Sequence, residues 1–100
     1  MLHIVNKSPF EKNSLEQAIS NSKDGSAILL IEDAVYAAKS SSSVAEMVKG
    51  ALGQKTVHVL GPDFNARGFA DEDVLEGVTI VDYSGFVDLV ENNGTVQSWV

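Results

Sequence analysis

The chain predicts an α/β sandwich built on a largely parallel sheet of five strands. Five short apolar runs rich in β-branched residues recur, at Leu2 to Val5, Ala27 to Ile31, Val57 to Leu60, Val78 to Val81 and Thr95 to Val100. Their length and composition favour buried strands over helix fragments. Segments of helical period stand between them, and an alternation of strand and helix supplies the right-handed crossovers that a parallel sheet needs.

After the first run, "NSLEQAIS" places Asn13 three residues before Glu16, the spacing of a capping box, with Leu15, Ala18 and Ile19 on one face. The second run ends on the acidic pair Glu32-Asp33 and passes into "DAVYAAK", read as a short helix, followed by the hinge Ser40 to Ser43. In "SVAEMVKGAL" Ser43 and Glu46 repeat the capping spacing, Val44, Met47, Val48, Ala51 and Leu52 form the apolar stripe, and Gly53 is the stop. Gly61-Pro62-Asp63 and Asp71 to Gly77 read as an irregular link between the third and fourth strands. The final helix is "SGFVDLVENNG", capped by Ser84, with Phe86, Val87, Leu89 and Val90 inward and "NNG" ending it.

With 100 residues, 44% apolar and 21% charged, the chain is expected to form a single domain over residues 1–100, large enough for a core but with little area to spare for an elaborate pocket. The formal net charge of −7 argues against direct nucleic-acid binding, which needs clustered Lys and Arg. There is no cysteine, hence no disulfide, no thiolate zinc site and no thiol nucleophile in this chain. The N-terminus "MLHIVNKSPF" lacks the pattern of a signal peptide, and no apolar run approaches the roughly 20 residues that span a bilayer. A cytoplasmic location without membrane contact is the expectation.

In an open parallel sheet the loops leaving the carboxyl ends of the strands gather along one edge. Here they would bring together Asn6, Lys7 and Ser8, then Glu32 and Asp33, then Asp63, Asn65 and Arg67, and lastly Asp82 and Tyr83. As chemistry, Glu32, Asp33, Asp63 and Asp82 could hold a hard cation or act as acid and base. As structure, Asp33 would cap the helix that follows it and Asp82 would order the turn before Ser84, and the structural assignment is the one adopted. Arg67 is expected to pair with Asp63 or Asp82. His3 and His58 lie within strands without metal-ligand spacing and read as half-buried strand histidines. Trp99 is either a core plug or an interface anchor. No glycine-framed nucleophile elbow and no phosphate loop are present, so no catalytic, cofactor-binding or metal residue is assigned.

Four stretches in register resemble the TusB/DsrH family: "MLHIVNKSPF" is similar to its Met-Leu-His start and Ser-Pro-aromatic, "LLIEDAVYAA" to its strand, acidic pair and small-residue turn. "VHVLGPDFNARGF" is similar to its third strand and Asp-x-x-Ala-Arg-Gly loop, and "VDYSGFVDLV" with "VQSW" to its closing segment. The resemblance implies a DsrEFH-like three-layer sandwich and a cytoplasmic subunit that assembles with two related partners, of the TusC/DsrF and TusD/DsrE types, as a dimer of heterotrimers. It implies an accessory role in persulfide sulfur transfer towards 2-thiolation of the tRNA wobble uridine, or in the sulfur-oxidation branch. Some DsrH-type members carry a cysteine in the first helix; "SLEQAIS" has none, so this chain cannot carry a persulfide itself. Glu32, Asp33, Asp63, Arg67, Asp82, Tyr83 and Trp99 are the candidate interface or loop-edge residues. A stand-alone enzyme using the carboxylate edge and a small-ligand binding module are the competing readings.

Overall fold

The computed structural model describes residues 1–100. Strands β1 (Leu2–Val5), β2 (Ala27–Leu30), β3 (Thr56–Leu60), β4 (Thr79–Val81) and β5 (Val96–Trp99) form one sheet in the order β4-β3-β2-β1-β5. Every neighbouring pair is parallel. The expected strands are all present, with ends shifted by a residue or so.

Helices α1 (Ser14–Asn21), α2 (Ala45–Leu52) and α3 (Gly61–Ala66) and a 3-10 segment at Glu32–Ala38 carry the crossovers from β1 as far as β4. Helix α4 (Tyr83–Asn93) carries the last one, to β5. Side chains alternate along a strand, so the sheet has two distinct faces. Val5, Ile28, Leu30, Val57 and Val59 point to the first and pack with Leu15 and Ala18 of α1, Val48 and Ala51 of α2 and Phe64 of α3. Ala34, Ala37 and Ala38 are fully buried in the same cluster, and their small side chains let the 3-10 segment lie close to the sheet. Leu2, Ala27 and Leu29 point to the second face, where Phe86 and Leu89 of α4 pack against them.

The three layers are unequal. Seventeen buried residues make the first core and three make the second, because three of the four crossovers run over one face. Not one residue of α4 is buried.

Four local expectations are corrected. Gly61-Pro62-Asp63 is not irregular: it opens α3, with Pro62 in the first turn, where the missing N–H costs nothing and the ring presets φ. Neither Asn13 nor Ser43 makes a side-chain cap; the residue before α2 is Val44, whose N–H is taken by Ser42 Oγ at 3.2 Å. "DAVYAAK" is wound as a 3-10 segment preceded by Ile31, and Asp33 lies inside its first turn instead of capping it. The cap of α4 is Asp82, not Ser84: Asp82 Oδ1 accepts the Gly85 N–H at 2.8 Å. Gly85 has to be a glycine for this packing, since a Cβ there would lie 2.9 Å from Val81 Cβ.

The asymmetry sets a stability contrast. Phe64→Ala, at a fully buried site, is expected to lower the unfolding free energy by about 3 to 5 kcal/mol. Val87→Ala, at a half-exposed site on α4, is expected to change it by less than about 0.5 kcal/mol. Urea unfolding midpoints at constant slope measure both.

Candidate functional site

The carboxyl edge of the sheet gathers the polar residues that the parallel order predicts. After β2 the chain turns sharply: Glu32 adopts φ +50°, a left-handed conformation that costs an L-residue roughly 1 to 2 kcal/mol. The turn is held from the neighbouring loop, where Asp63 Oδ2 accepts the Glu32 N–H at 2.7 Å. The next residue, Asp33, receives the guanidinium of Arg67, with Nε and Nη2 at 3.1 and 3.0 Å from Oδ1. Arg67 Nη1 donates to the carbonyl of Asp63 at 3.2 Å.

Glu32, Asp33, Asp63 and Arg67 are therefore one lattice joining the loop after β2 to the loop after β3. Arg67 pairs with Asp33, not with the carboxylates of Asp63 or Asp82 as expected. The reason is topological: β2 and β3 are neighbours, and the left-handed turn at Glu32 throws Asp33 towards α3. The ion pair is mostly solvent-exposed on the Asp33 side, so its contribution is of the order of 1 kcal/mol or less.

Asp82 and Tyr83 stand apart from this lattice, at the start of α4. Between β3, whose crossover helix lies on the first face, and β4, whose helix lies on the second, the chain forms its topological switch point, the usual ligand crevice of such sheets. A cleft of about 500 Å³ opens there, lined by Gly61, Pro62, Asn65, Asp71, Asp82 and Gly85 among others. No Lys or Arg lines it, so an anion finds no counter-charge. Asp82 is occupied with capping α4, and Asp71 accepts Asn65 Nδ2 at 3.3 Å. No group of three or more Asp, Glu or His side chains lies close enough together to hold a metal ion. At this edge Asp63 and Asp82 fix backbone, and Asp33 is paired with Arg67.

A second pairing escaped the sequence reading. His3 and Trp99 are on adjacent strands, and Trp99 Nε1 donates to His3 Nδ1 at 3.0 Å. Accepting at Nδ1 places the neutral imidazole's proton on Nε2. Trp99 is partly buried against the first core, so it packs inward. His3 is almost wholly buried, not half-buried as expected, whereas His58 is intermediate, with Nε2 3.1 Å from Thr56 Oγ1. Register parity accounts for the contact: Trp99 pairs with Val5, two residues beyond His3, so both rings lie on one face.

Burial first, then the N-terminal ammonium and Lys55, push the His3 pKa below its ordinary 6.5. Burial does the same for His58. Below about pH 6.5 the unfolded chain binds protons that the folded one refuses, so stability falls as pH drops. The melting temperature is expected to decline from about pH 7 to about pH 5, less steeply in His3→Gln, and the emission of the single tryptophan should shift as its acceptor becomes protonated. A flat profile in the wild-type chain would remove the buried neutral imidazole. At the turn after β2, Glu32→Gly should change stability by less than about 0.5 kcal/mol, relief of strain offsetting added chain entropy, while Glu32→Val should cost about 1 to 2 kcal/mol. Thermal denaturation of the two variants measures the difference.

The model of the family described as DsrH like protein matches residues 7–96. Protein TusB of Pectobacterium parmentieri is 28% identical over 99 residues, covering 99% of this chain and all of that protein. Protein TusB of Enterobacter sp. (strain 638) is 32% identical with the same coverage. Among solved structures, the ychN protein of E. coli superposes with a TM-score of 0.78 over 97% of both chains at 21% identity. MTH1491 of Methanobacterium thermoautotrophicum, a protein of unknown function, gives 0.77 over 97% of this chain and 95% of that one at 18% identity. These two likenesses concern the fold. A match spanning nearly the whole chain, with curated relatives aligned end to end, makes this protein a member of the TusB/DsrH family.

Proposed function

We propose that the chain is an accessory, thiol-free subunit of a cytoplasmic sulfur-relay complex that supports persulfide transfer towards 2-thiolation of the tRNA wobble uridine. The observation that carries this reading is the family match over residues 7–96. The TusB name borne by full-length relatives supports the tRNA-directed branch over sulfur oxidation. The chemistry agrees with an accessory role. Passing a sulfane sulfur needs a thiolate to attack the persulfide and another to leave, and this chain has no cysteine. The reactive cysteine therefore belongs to a partner, of the TusD/DsrE type, with a TusC/DsrF-type subunit completing a dimer of heterotrimers.

The carboxylate edge supports the same division of labour. Asp63 and Asp82 are engaged by backbone N–H groups and Asp33 by a guanidinium, so Asp63 and Asp33 tie the turn after β2 to α3, and Asp82 caps α4. At this edge Glu32 alone keeps its carboxylate free of hydrogen bonds, and it stands exposed on its turn, outside the lining of the cleft between β3 and β4 where a substrate of such a sheet would sit.

Deleting the gene in its native host and measuring 2-thiouridine in hydrolysed tRNA by mass spectrometry tests the assignment. Loss of most of the modification is expected, restored by the wild-type chain and by the double variant Glu32→Gln with Asp33→Asn. Unchanged thiolation in the deletion would overturn the tRNA role; failure of the double variant to rescue, with the complex intact by native mass, would return a direct chemical role to the acidic pair.

A further inference from the structure

Charge in this chain is divided by position. Residues 1–67 hold all seven Lys and Arg and seven of the fourteen carboxylates, and residues 68–100 hold the other seven carboxylates and no Lys or Arg. Of these seven, Asp71, Glu72, Asp73 and Glu76 lie in the β3–β4 connection, which packs on the first face through Val74, Leu75 and Val78, whereas Asp82, Asp88 and Glu91 belong to the cap and body of α4, which has no Lys or Arg. The strands add no compensation, since none of β1 to β5 contains a Lys or Arg. The second face of the sandwich, helix and sheet together, is therefore built without a cation.

The same face is incompletely covered. Phe86 and Leu89 of α4 turn towards the sheet. Tyr83, Val87 and Val90 follow at spacings of four and three, which puts them on a single adjoining stripe of the helix. They are exposed by 61%, 53% and 36%, and Val96 on β5, whose side chain also points to this face, by 42%. Asp88 and Glu91 lie beside the stripe on α4, and Asp82 and Asp71 stand at its N-terminal end.

We infer that the α4 face docks a protein partner whose contact surface has an apolar centre and a Lys/Arg rim, and that it does not pair with a second copy of this chain. The inference rests on the proposed subunit role. Its charge argument is elementary: two copies joined across α4 would bring carboxylates against carboxylates with no cation on either side, whereas a basic rim turns each one into an attractive neighbour. A phosphate backbone or an anionic lipid surface is repelled by the same field. An apolar stripe bordered on one side and at one end by one sign of charge is what remains for a complementary protein to recognise.

The test titrates the purified chain into the preassembled TusC/DsrF-type and TusD/DsrE-type subunits of the same organism, by calorimetry at about 50 and about 300 mM salt, a range over which screening changes markedly. Tyr83→Ala with Val87→Ser is expected to weaken binding at least about tenfold. Asp88→Lys with Glu91→Lys should weaken it about tenfold at low salt and flatten its salt dependence, while Glu11→Lys, in the loop before α1, leaves it unchanged. All substituted residues are exposed, and circular dichroism confirms that the variants fold. Tight binding insensitive to the α4 variants would overturn the docking face and leave the subunit role standing; absence of any binding by the wild-type chain would overturn both. A wild-type homodimer that the α4 variants dissociate, seen by sedimentation, would overturn the exclusion of self-pairing.

Discussion

The structure depends on the burial of β2 from both sides. All four of its residues, Ala27 to Leu30, are buried, which requires a layer on each face of the sheet and a hydrogen-bonded neighbour on each edge. β1 and β3 supply the edges in parallel register. Parallel neighbours oblige the chain to cross over after every strand, and the order β4-β3-β2-β1-β5 sends the connections from β1 to β4 one way across the sheet and the last connection back. Steps in one direction, all right-handed, fall on one face. The return from β4 to β5 falls on the other, so the second layer consists of a single helix.

That single constraint explains where the polar residues go. Loops after neighbouring strands meet at the carboxyl edge, and a turn there must satisfy its backbone groups without the help of a sheet. Asp63 does this for Glu32 and Asp82 for Gly85. Each carboxylate accepts from a backbone N–H at the start of a helical segment, where the oriented peptide dipoles favour negative charge. The acidic pair that ends β2 is thus divided between two tasks: Glu32 contributes its backbone to the turn, and Asp33 contributes its side chain to the bridge with Arg67. Adjacent in sequence, the two carboxylates are not used as a pair.

Much of this is legible in the sequence. The β-branched runs located every strand, and the alternation of strand and helix gave the parallel order and the shared edge. What was lost depended on geometry that sequence does not carry. Gly61-Pro62 looks like a break because proline ends helices more visibly than it begins them, although at the first turn its missing donor is harmless. Arg67 has four carboxylates along the same edge, those of Glu32, Asp33, Asp63 and Asp82. Choosing among them required knowing that Glu32 takes a positive φ, which no preference of glutamate suggests. The His3–Trp99 bond joins residues 96 positions apart and becomes visible only once β1 and β5 are known to be neighbours. Ser84 and Asp82 were both acceptable caps for α4, and the close approach of Gly85 to Val81 selects the earlier one.

The distribution of stability and the distribution of charge point the same way. The first face holds the large core, and the opening two thirds of the chain hold every Lys and Arg. The second holds a small core under one helix and carries carboxylates without cations. For a free monomer this would be a poor use of an amphipathic helix: α4 leaves Val87 and Tyr83 largely in water, where burying each would be worth on the order of 1.5 to 3 kcal/mol. Like charges around that stripe oppose indiscriminate self-association through it. A subunit solves both problems at once, since the apolar stripe gains its burial only against a surface that also supplies the missing cations. The thiol-free carboxyl edge and the uncovered helix then describe one molecule: Asp33, Asp63 and Asp82 hold loops and helix starts in place, and what it offers outward is a surface.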